Sequence, residues 1–114
     1  MKKNETITGL FKAPGSPIET RTVPNTLEAL QELVGGRIET LTFSTDCMFI
    51  CNREGKLLNL PANFYFCGDI FVGPVFICGR SGEHFVDLSI SDNAEKFLRA
   101  SICCTDCFGR PYTL

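Results

Sequence analysis

The sequence predicts an α+β fold, a mainly antiparallel sheet with two helices packed on one face. Segments that alternate polar and apolar residues, the pattern of strands with one buried side, recur along the chain. Two other segments each place a capping residue before an apolar stripe with helical spacing. In order they give strand, helix, several strands and helix, which is an α+β arrangement.

Length and composition indicate a single folded domain over residues 1–114. A chain of 114 residues is about the size of one domain. Its 44% hydrophobic and 21% charged residues are ordinary for a globular protein and exclude charge-driven disorder. Within this domain we expect the polar residues 1–9 to be flexible and residues 103–114 to form an irregular tail.

The charge pattern and the apolar runs exclude several classes of partner. The formal net charge is −2 and both signs are spread along the chain, so there is no electrostatic signature for duplex nucleic acid. No apolar run approaches the roughly 20 residues of a membrane-spanning helix, and the polar start lacks the apolar segment of a signal peptide. We therefore expect a cytoplasmic protein that contacts no membrane and keeps its seven cysteines reduced.

The first elements are a strand region and a helix. A Pro-Gly-Ser-Pro turn at residues 14–17 separates two short stretches and predicts a hairpin, or a loop followed by a strand. For the helix, Asn25 is the predicted N-cap, with Glu28 three residues later as in a capping box. Gly35 is the predicted helix stop. The apolar stripe between these signals comprises Leu27, Leu30, Leu33 and Val34.

Strands follow the helix. Residues 38–43 and 47–51 are expected to pair as a hairpin, with the second strand more buried because it is more apolar. Residues 52–55 predict a turn that ends in glycine. Residues 56–61 predict a short strand that Pro61 terminates.

The remaining elements are two strands and a helix. Residues 69–79 form the most apolar strand, in which Gly73–Pro74 predicts a bulge or an edge position because proline has no N–H to donate. Residues 84–89 predict a last strand. The second helix is predicted to open at Asp92 and to run to Ile102.

Cysteine and histidine spacing raises three chemical hypotheses, each with weak support. Cys104 and Cys107 have the gap of a zinc knuckle, but zinc needs about four ligands, and Cys103 and His84 are the only additions in view. A redox pair at the same two cysteines lacks the helix start that lowers a thiol pKa. His84 is the only histidine available as a base for a cysteine nucleophile. We therefore predict no catalytic residue, no metal and no cofactor.

The strongest indication of binding lies in residues 52–66. Polar side chains around turns stand next to a run of aromatic residues, which suits a small anionic ligand with an aromatic ring: the ring stacks while Arg or Lys meets phosphate. In the competing interpretation the asparagines satisfy turn backbone and the rings fill the core. The candidate ligand-binding residues are Asn52, Arg53, Lys56, Asn59, Asn63, Phe64 and Tyr65.

Three segments in this order, TLEALQELVGGRIET, ICNREGKLLNLPAN and GDIFVGPVFICG, resemble the domain of unknown function 3846 family, found in phages and mobile elements of bacteria. The resemblance covers about residues 20–80. The family has no established enzyme activity, so the resemblance implies a genomic setting more than a chemistry. Phe64 stands where the family commonly has an arginine after a Pro-x-Asn element, and the cysteine-rich tail is not part of the family pattern.

The resemblance implies a non-enzymatic accessory protein, active against host defence, that works by binding in the host bacterial cytosol. The expected ligand is a nucleotide-derived immune signal, of the cyclic ADP-ribose type or a cyclic dinucleotide. The alternatives are a protein-interaction module that inhibits a host enzyme through an exposed sheet edge and, third, a hydrolase of nucleotides. A small domain makes a deep pocket most easily between protomers, so a homo-oligomer is expected.

Overall fold

The computed structural model describes residues 5–42, 47–66, 69–81, 84–88, 103–105 and 111–113. These ranges form two antiparallel sheets and one α-helix, which confirms the α+β class and the mainly antiparallel pairing. The helix packs on one face of the larger sheet and the smaller sheet packs on the other, so the described part of the chain has three layers.

The larger sheet is built from β1 (Thr6–Lys12), β2 (Glu19–Pro24), β3 (Ile38–Thr42), β4 (Cys47–Asn52), β7 (Val75–Ser81) and β8 (His84–Val86). Its strand order is β2-β1-β7-β4-β3, and β8 pairs with the end of β7. The smaller sheet comprises β5 (Ala62–Phe66), β6 (Asp69–Val72), β9 (Cys103–Thr105) and β10 (Pro111–Thr113), in the order β10-β9-β5-β6. Within the described ranges, β3 and β6 are therefore edge strands.

The central strand β7 buries both of its faces. Val75 and Ile77 belong to the apolar cluster shared with the smaller sheet, whereas Phe76 and Cys78 belong to the cluster under the helix. Successive side chains of a strand point to opposite faces, so a strand covered on both sides is apolar at every position. This explains why residues 75–78 show no polar and apolar alternation.

Helix α1 (Leu27–Val34) begins one residue later than predicted. Its N-cap is Thr26, whose side chain accepts a hydrogen bond from the N–H of Ala29 at 3.1 Å. The predicted cap, Asn25, is buried, and its amide donates to the carbonyl of Phe85. The predicted stop is confirmed: Gly35 has φ +81° and donates its N–H to the carbonyl of Gln31, a left-handed cap that glycine accommodates without strain.

The helix stripe is narrower than its sequence suggested. Leu30 and Val34 are each 1% exposed, and Leu33 packs at the border of the same cluster. Leu27 is 54% exposed and lies off the stripe. Leu30 and Val34 are related as i and i+4 and share the face that packs on the larger sheet, whereas Leu27 stays in solvent.

Of three other predictions, the one about a second helix lies outside the described residues, and the two about the chain termini need correction. The described ranges contain one helix, and the helix predicted from Asp92 to Ile102 lies outside them. Residues 6–9, predicted to be flexible, form the start of β1, because Ile7 is completely buried under the helix. The tail, predicted to be irregular, contributes β9 and β10 to the smaller sheet. No helix in the described part of the chain has the length and apolar character to cross a bilayer.

The apolar segment 69–79 is two strands in different sheets rather than one strand with a bulge. Gly73 has φ +72°, which breaks the extended conformation between β6 and β7. A Cβ at this position would stand 2.7 Å from the Cδ1 atom of Leu60, so a larger residue would also have to displace that side chain. The chain therefore crosses here from the smaller sheet to the centre of the larger one.

Residues 56–61, predicted as a strand, form none: residues 53–59 make a wound turn, and residues 60 and 61 follow it without regular structure. The N–H of Leu58 donates to the carbonyl of Glu54 at 2.9 Å, and that of Leu60 to Gly55 at 3.0 Å. Asn59 has φ +54°, a left-handed conformation that asparagine tolerates better than most residues. The apolar residues that suggested a strand, Leu57 and Leu58, point into solvent. The predicted hairpin of β3 and β4 and the strand at residues 84–86 are confirmed.

Candidate functional site

A cleft of about 400 Å³ opens where the two sheets present their edge strands. Its walls come from β3 and β4 of the larger sheet, from β6 of the smaller sheet, and from the turn over residues 53–59. A volume in the range of about 300–1,000 Å³ is typical of pockets that hold small molecules. This cleft is therefore the candidate functional site.

The polar wall of the cleft carries both signs of charge. Arg53 and Lys56, two of the predicted ligand residues, line it with exposed side chains. Glu39 on β3 lines the same cleft, so two cations and one carboxylate face one space. Such a set can bind an anionic group through the cations while the carboxylate accepts hydrogen bonds from N–H or O–H groups of the same ligand.

The remaining wall is apolar. Ile70, Phe71 and Val72 contribute it from β6, and Leu41 and Leu57 stand at the rim. Leu57 is 84% exposed, so a large apolar side chain stands in water at the mouth of the cleft. The cleft can therefore hold an apolar or aromatic body beside its charged wall.

Asn52, a third predicted ligand residue, also lines the cleft but is committed to structure. Its amide donates to the carbonyl of Val34 at 3.2 Å, and its side-chain oxygen accepts from the N–H of Glu54 at 2.8 Å. The first bond ties β4 to the end of the helix, and the second starts the turn that carries Arg53 and Lys56. Asn52 therefore positions the cationic wall.

Asn63 is not part of the cleft. It is 1% exposed and occupies the irregular position where the pairing of β5 with β6 shifts register between Ala62 and Phe64. A bulge of this kind re-aims a side chain, here into the protein. The amide donates to the carbonyls of Gly73 at 2.7 Å and Lys12 at 2.8 Å. These bonds join the smaller sheet to the larger one.

Sequence reasoning missed the main partner of Asn63. Lys12 is 1% exposed at the end of β1, and its ammonium group donates to the side-chain oxygen of Asn63 at 2.7 Å. Longer contacts join it to the carbonyls of Ala13 and of Asn63 itself. The available signal was strand alternation, because Lys12 is on the same face as the buried Leu10, which predicts an inward side chain.

The two aromatic residues among the predicted ligand residues, Phe64 and Tyr65, are neighbours on β5. Phe64 is 1% exposed and stacks on Phe71, with ring centroids 4.9 Å apart, while Phe49 lies 5.9 Å from Phe64. Phe64 therefore fills the core and has no face for a ligand. Tyr65 lies on β5, opposite Ile70 of β6. Asn59 is exposed at the end of the turn, outside the residues that line the cleft.

Two buried thiols, Cys51 and Cys78, are poor nucleophiles. The pKa of Cys51 is raised to about 11, mainly by burial and to a lesser degree by Glu39, while Lys56 opposes the rise. Burial also raises the pKa of Cys78 to about 12, with a smaller contribution from Cys47. Both groups are protonated near neutral pH, and a thiol attacks only as the thiolate.

The other residues considered for chemistry are dispersed. His84 is exposed on β8, opposite Ser81 of β7. Cys104 lies on β9, and Cys107 is outside the described residues. Among the side chains that the structure describes, no group of three His, Cys, Asp or Glu residues is placed to hold a metal ion. The zinc and redox hypotheses for Cys104 and Cys107 therefore stay untested.

Comparison with known proteins gives one result. A family model described as Domain of unknown function (DUF3846) matches residues 7–100. No curated protein and no solved structure matches the chain. The matched range includes every strand that walls the cleft and the turn with Arg53 and Lys56, and it stops before the cysteine-rich tail. Because the match spans most of the 114 residues, the chain belongs to the DUF3846 family.

Proposed function

We propose that this protein acts by binding a small nucleotide-derived ligand in the cleft, without turning it over. The observation that carries the proposal is the placement of Arg53 and Lys56 beside an apolar wall in a cleft of about 400 Å³. The biological setting we propose is a phage or mobile element, in which the protein is an anti-defence factor that sequesters an immune signal in the host cytoplasm. Ligands of the cyclic ADP-ribose or cyclic dinucleotide type meet this description.

The chemistry of the walls supports a ligand with distinct ends. Phosphate oxygens accept charge-assisted hydrogen bonds from Arg53 and Lys56, and such bonds are about twice as strong as neutral ones. Glu39 accepts bonds from the hydroxyl or amino groups of a nucleoside. The apolar wall at Ile70 and Val72, both half-buried, takes the flat body of the base. Binding by Asn63 and Phe64 is no longer proposed, because both are buried away from the cleft.

We propose that the ligand is not turned over because the described residues that line the cleft offer no ready nucleophile and no histidine base. Cys51 is the thiol that lines the cleft, and its raised pKa keeps it protonated. His84 does not line the cleft. A hydrolase would also need a positioned base, and Glu39 is the single carboxylate among the lining residues.

The test is thermal unfolding of the purified protein with a panel of cyclic dinucleotides and ADP-ribose isomers, followed by heat release and mass spectrometry of the bound compound. A ligand at about 100 times its Kd stabilises the folded state by about 2.7 kcal/mol, which raises Tm measurably. Intact recovery supports sequestration, whereas a changed mass indicates a hydrolase. No shift with any member of the panel contradicts the proposal.

Matched variants locate the ligand. Arg53→Ala should leave Tm without ligand nearly unchanged and weaken binding about 10- to 100-fold, because hydrogen bonds to charged groups contribute about 1.5–3 kcal/mol. The control is Arg21→Ala, which removes the same charge from β2 at the opposite edge of the larger sheet. Equal effects of the two variants on affinity would show attraction by net charge and not a site.

A protein partner is the second candidate, and the apolar tip of the turn favours it. Leu57 and Leu58 are 84% and 57% exposed, and large apolar side chains in that state often mark a contact surface. Gly73–Pro74, predicted as a bulge or an edge position, is the crossing between β6 and β7 and belongs to neither strand. Inhibition of a host enzyme would then depend on Leu57 and not on Arg53, which Leu57→Ser would reveal in a pull-down.

A further inference from the structure

The outer edge of β3 has no partner strand among the residues that the structure describes. On its inner side β3 pairs with β4. Glu39, Thr40, Leu41 and Thr42 are all exposed. An exposed edge is a template for another strand, and natural edges are protected by proline, charged side chains, bulges or short length. β3 has no proline, lysine or bulge, and Glu39 is its single charged residue.

Hydrogen-bond parity shows which backbone groups of β3 face outward. The N–H of Arg53 donates to the carbonyl of Arg37 at 2.8 Å, so these two residues form a hydrogen-bonded antiparallel pair. Such pairs recur every second residue, which directs the groups of Glu39 and Leu41 toward β4 as well. The N–H and C=O groups that point away from β4 belong to Ile38, Thr40 and Thr42.

We infer that a second copy of this chain pairs antiparallel with β3, with Thr40 on the two-fold axis. In this register Thr40 faces Thr40 of the second copy, and Ile38 faces its Thr42 on both sides of the axis. All three outward-facing residues of each strand form hydrogen-bonded pairs. The pair on the axis is threonine with threonine, which is favourable across antiparallel strands. The larger sheet becomes continuous through both copies, and the contact is isologous.

Neighbouring registers are worse for physical reasons. An axis at Glu39 would oppose two carboxylates directly, which is destabilising. An axis at Ile38 would require the N–H of Gly36, which already donates to the carbonyl of Gln31 in the helix cap. An axis at Leu41 would pair only Thr40 with Thr42 and leave Ile38 without a partner strand. Charge and hydrogen bonding therefore select the axis at Thr40.

This interface changes the cleft. Glu39 and Leu41 lie on the face of β3 that lines it, opposite Cys51 and Phe49 of β4. In the proposed register, Leu41 of the second copy stands directly opposite Glu39, so the two clefts adjoin across the axis. Each copy then supplies an apolar residue to the other copy's site. The inference goes beyond ligand binding, because strand pairing is present whether or not a nucleotide binds.

The register is tested by disulfide cross-linking of single variants. In a hydrogen-bonded antiparallel pair the Cα atoms are about 5.5 Å apart, within the range of a disulfide. Thr40→Cys should therefore yield a covalent dimer under mild oxidation. Thr42→Cys is the matched control: it has the same residue type, strand face and exposure, but its symmetry mate lies four residues along the partner strand, about 13 Å away. The unsubstituted chain gives the background from the native cysteines.

Mass measurement tests the pairing itself, without ligand. Sedimentation should give twice the 12.6 kDa of the chain for the natural protein and for Thr40→Val, which keeps the N–H. Thr40→Pro removes an outward N–H, which an edge strand tolerates, so it should still fold but sediment as a monomer, with a Tm lowered by the lost association. A natural protein that is monomeric at high concentration, a dimeric Thr40→Pro, or equal cross-linking at positions 40 and 42 would each overturn the inference. None of these outcomes depends on nucleotide binding, which the thermal panel tests separately.

Discussion

Two polar clusters of similar composition have opposite environments in this molecule. Lys12 and Asn63 form one between the two sheets, each 1% exposed. Arg53 and Lys56 form the other on the turn beside the cleft, where their side chains are exposed. Asn63 and Arg53 stand ten positions apart in the same polar and aromatic stretch, and sequence alone assigned them one role. A polar side chain that forms its hydrogen bonds inside the protein stabilises the fold, whereas one that is exposed to water remains available to a ligand.

The two clusters also differ in what holds their charge. The ammonium of Lys12 has left water, and the hydrogen bonds that Asn63 and backbone carbonyls accept from it offset part of that cost. Arg53 and Lys56 remain hydrated, so they cost the fold little and are available to an incoming anion. The buried cluster is therefore expected to carry stability, and the exposed one binding.

The largest expected effect comes from breaking the buried cluster. Asn63→Ala removes the 2.7 Å acceptor of the Lys12 ammonium and the donors to the carbonyls of Lys12 and Gly73. We expect the free energy of unfolding to fall by about 3–5 kcal/mol, because a buried charge and buried carbonyls lose partners together. Urea denaturation measures this loss.

The matched control is Asn59→Gly, which removes an exposed asparagine amide while glycine adopts the left-handed backbone without strain. It should change stability by less than about 0.5 kcal/mol. Adding Lys12→Met to Asn63→Ala should recover part of the loss, since the buried ammonium that lost its 2.7 Å acceptor is then gone. Additive losses in the double variant would mean that the two side chains do not act as a unit.

The helix offers the same comparison between two leucines. Leu30 is 1% exposed under the larger sheet, and Leu27 is 54% exposed one turn earlier. Leu30→Ala should cost about 2–5 kcal/mol through lost burial and the cavity left behind, whereas Leu27→Ala should stay within about 0.5 kcal/mol. Thermal or urea unfolding of both variants gives the comparison, and similar losses would show that the stripe is wider than the structure has it.

Local signals in the sequence predicted local structure well. The glycine stop at Gly35 and the hairpin of β3 and β4 follow from turn chemistry and strand pattern, which act over a few residues. The split at Gly73 was missed because nothing local tells a bulge from a change of sheet. The strand predicted at residues 56–61 failed because exposed leucines imitate a buried pattern.

The candidate site was predictable only in part, for a related reason. Arg53 and Lys56 are close in sequence, so their shared turn brings them together without long-range information. Glu39 and the β6 wall reach the cleft through pairing between distant segments, which spacing cannot reveal. Asn63 was misplaced because its partner, Lys12, is 51 residues away. Long-range partners decide which polar residues remain free for a ligand.

Cys51 lies between the buried core and the exposed cleft, and its substitution is expected to have the smallest effect on stability. It belongs to the core cluster beside Phe49 and also lines the cleft, where Lys56 favours its thiolate. Burial outweighs that cation and raises the pKa from its ordinary 9.0 to about 11. The cleft floor at this point therefore has the character of the core.

The raised pKa predicts how stability depends on pH. Well below pH 9 the thiol is protonated in both the folded and the unfolded chain, so it adds no pH dependence there. Between pH 9 and about 11 the unfolded chain releases this proton and the folded chain does not, so the free energy of unfolding falls by about 1.4 kcal/mol per pH unit for such a thiol. Urea unfolding across this window measures the slope, and Cys51→Ala should reduce it while leaving the contribution of Cys78. If the slope of the free energy of unfolding against pH is unchanged in Cys51→Ala, the pKa of this thiol is not raised by burial. Cys51 would then be hydrated, with Lys56 offsetting any rise in its pKa, and the floor of the cleft would be open to water.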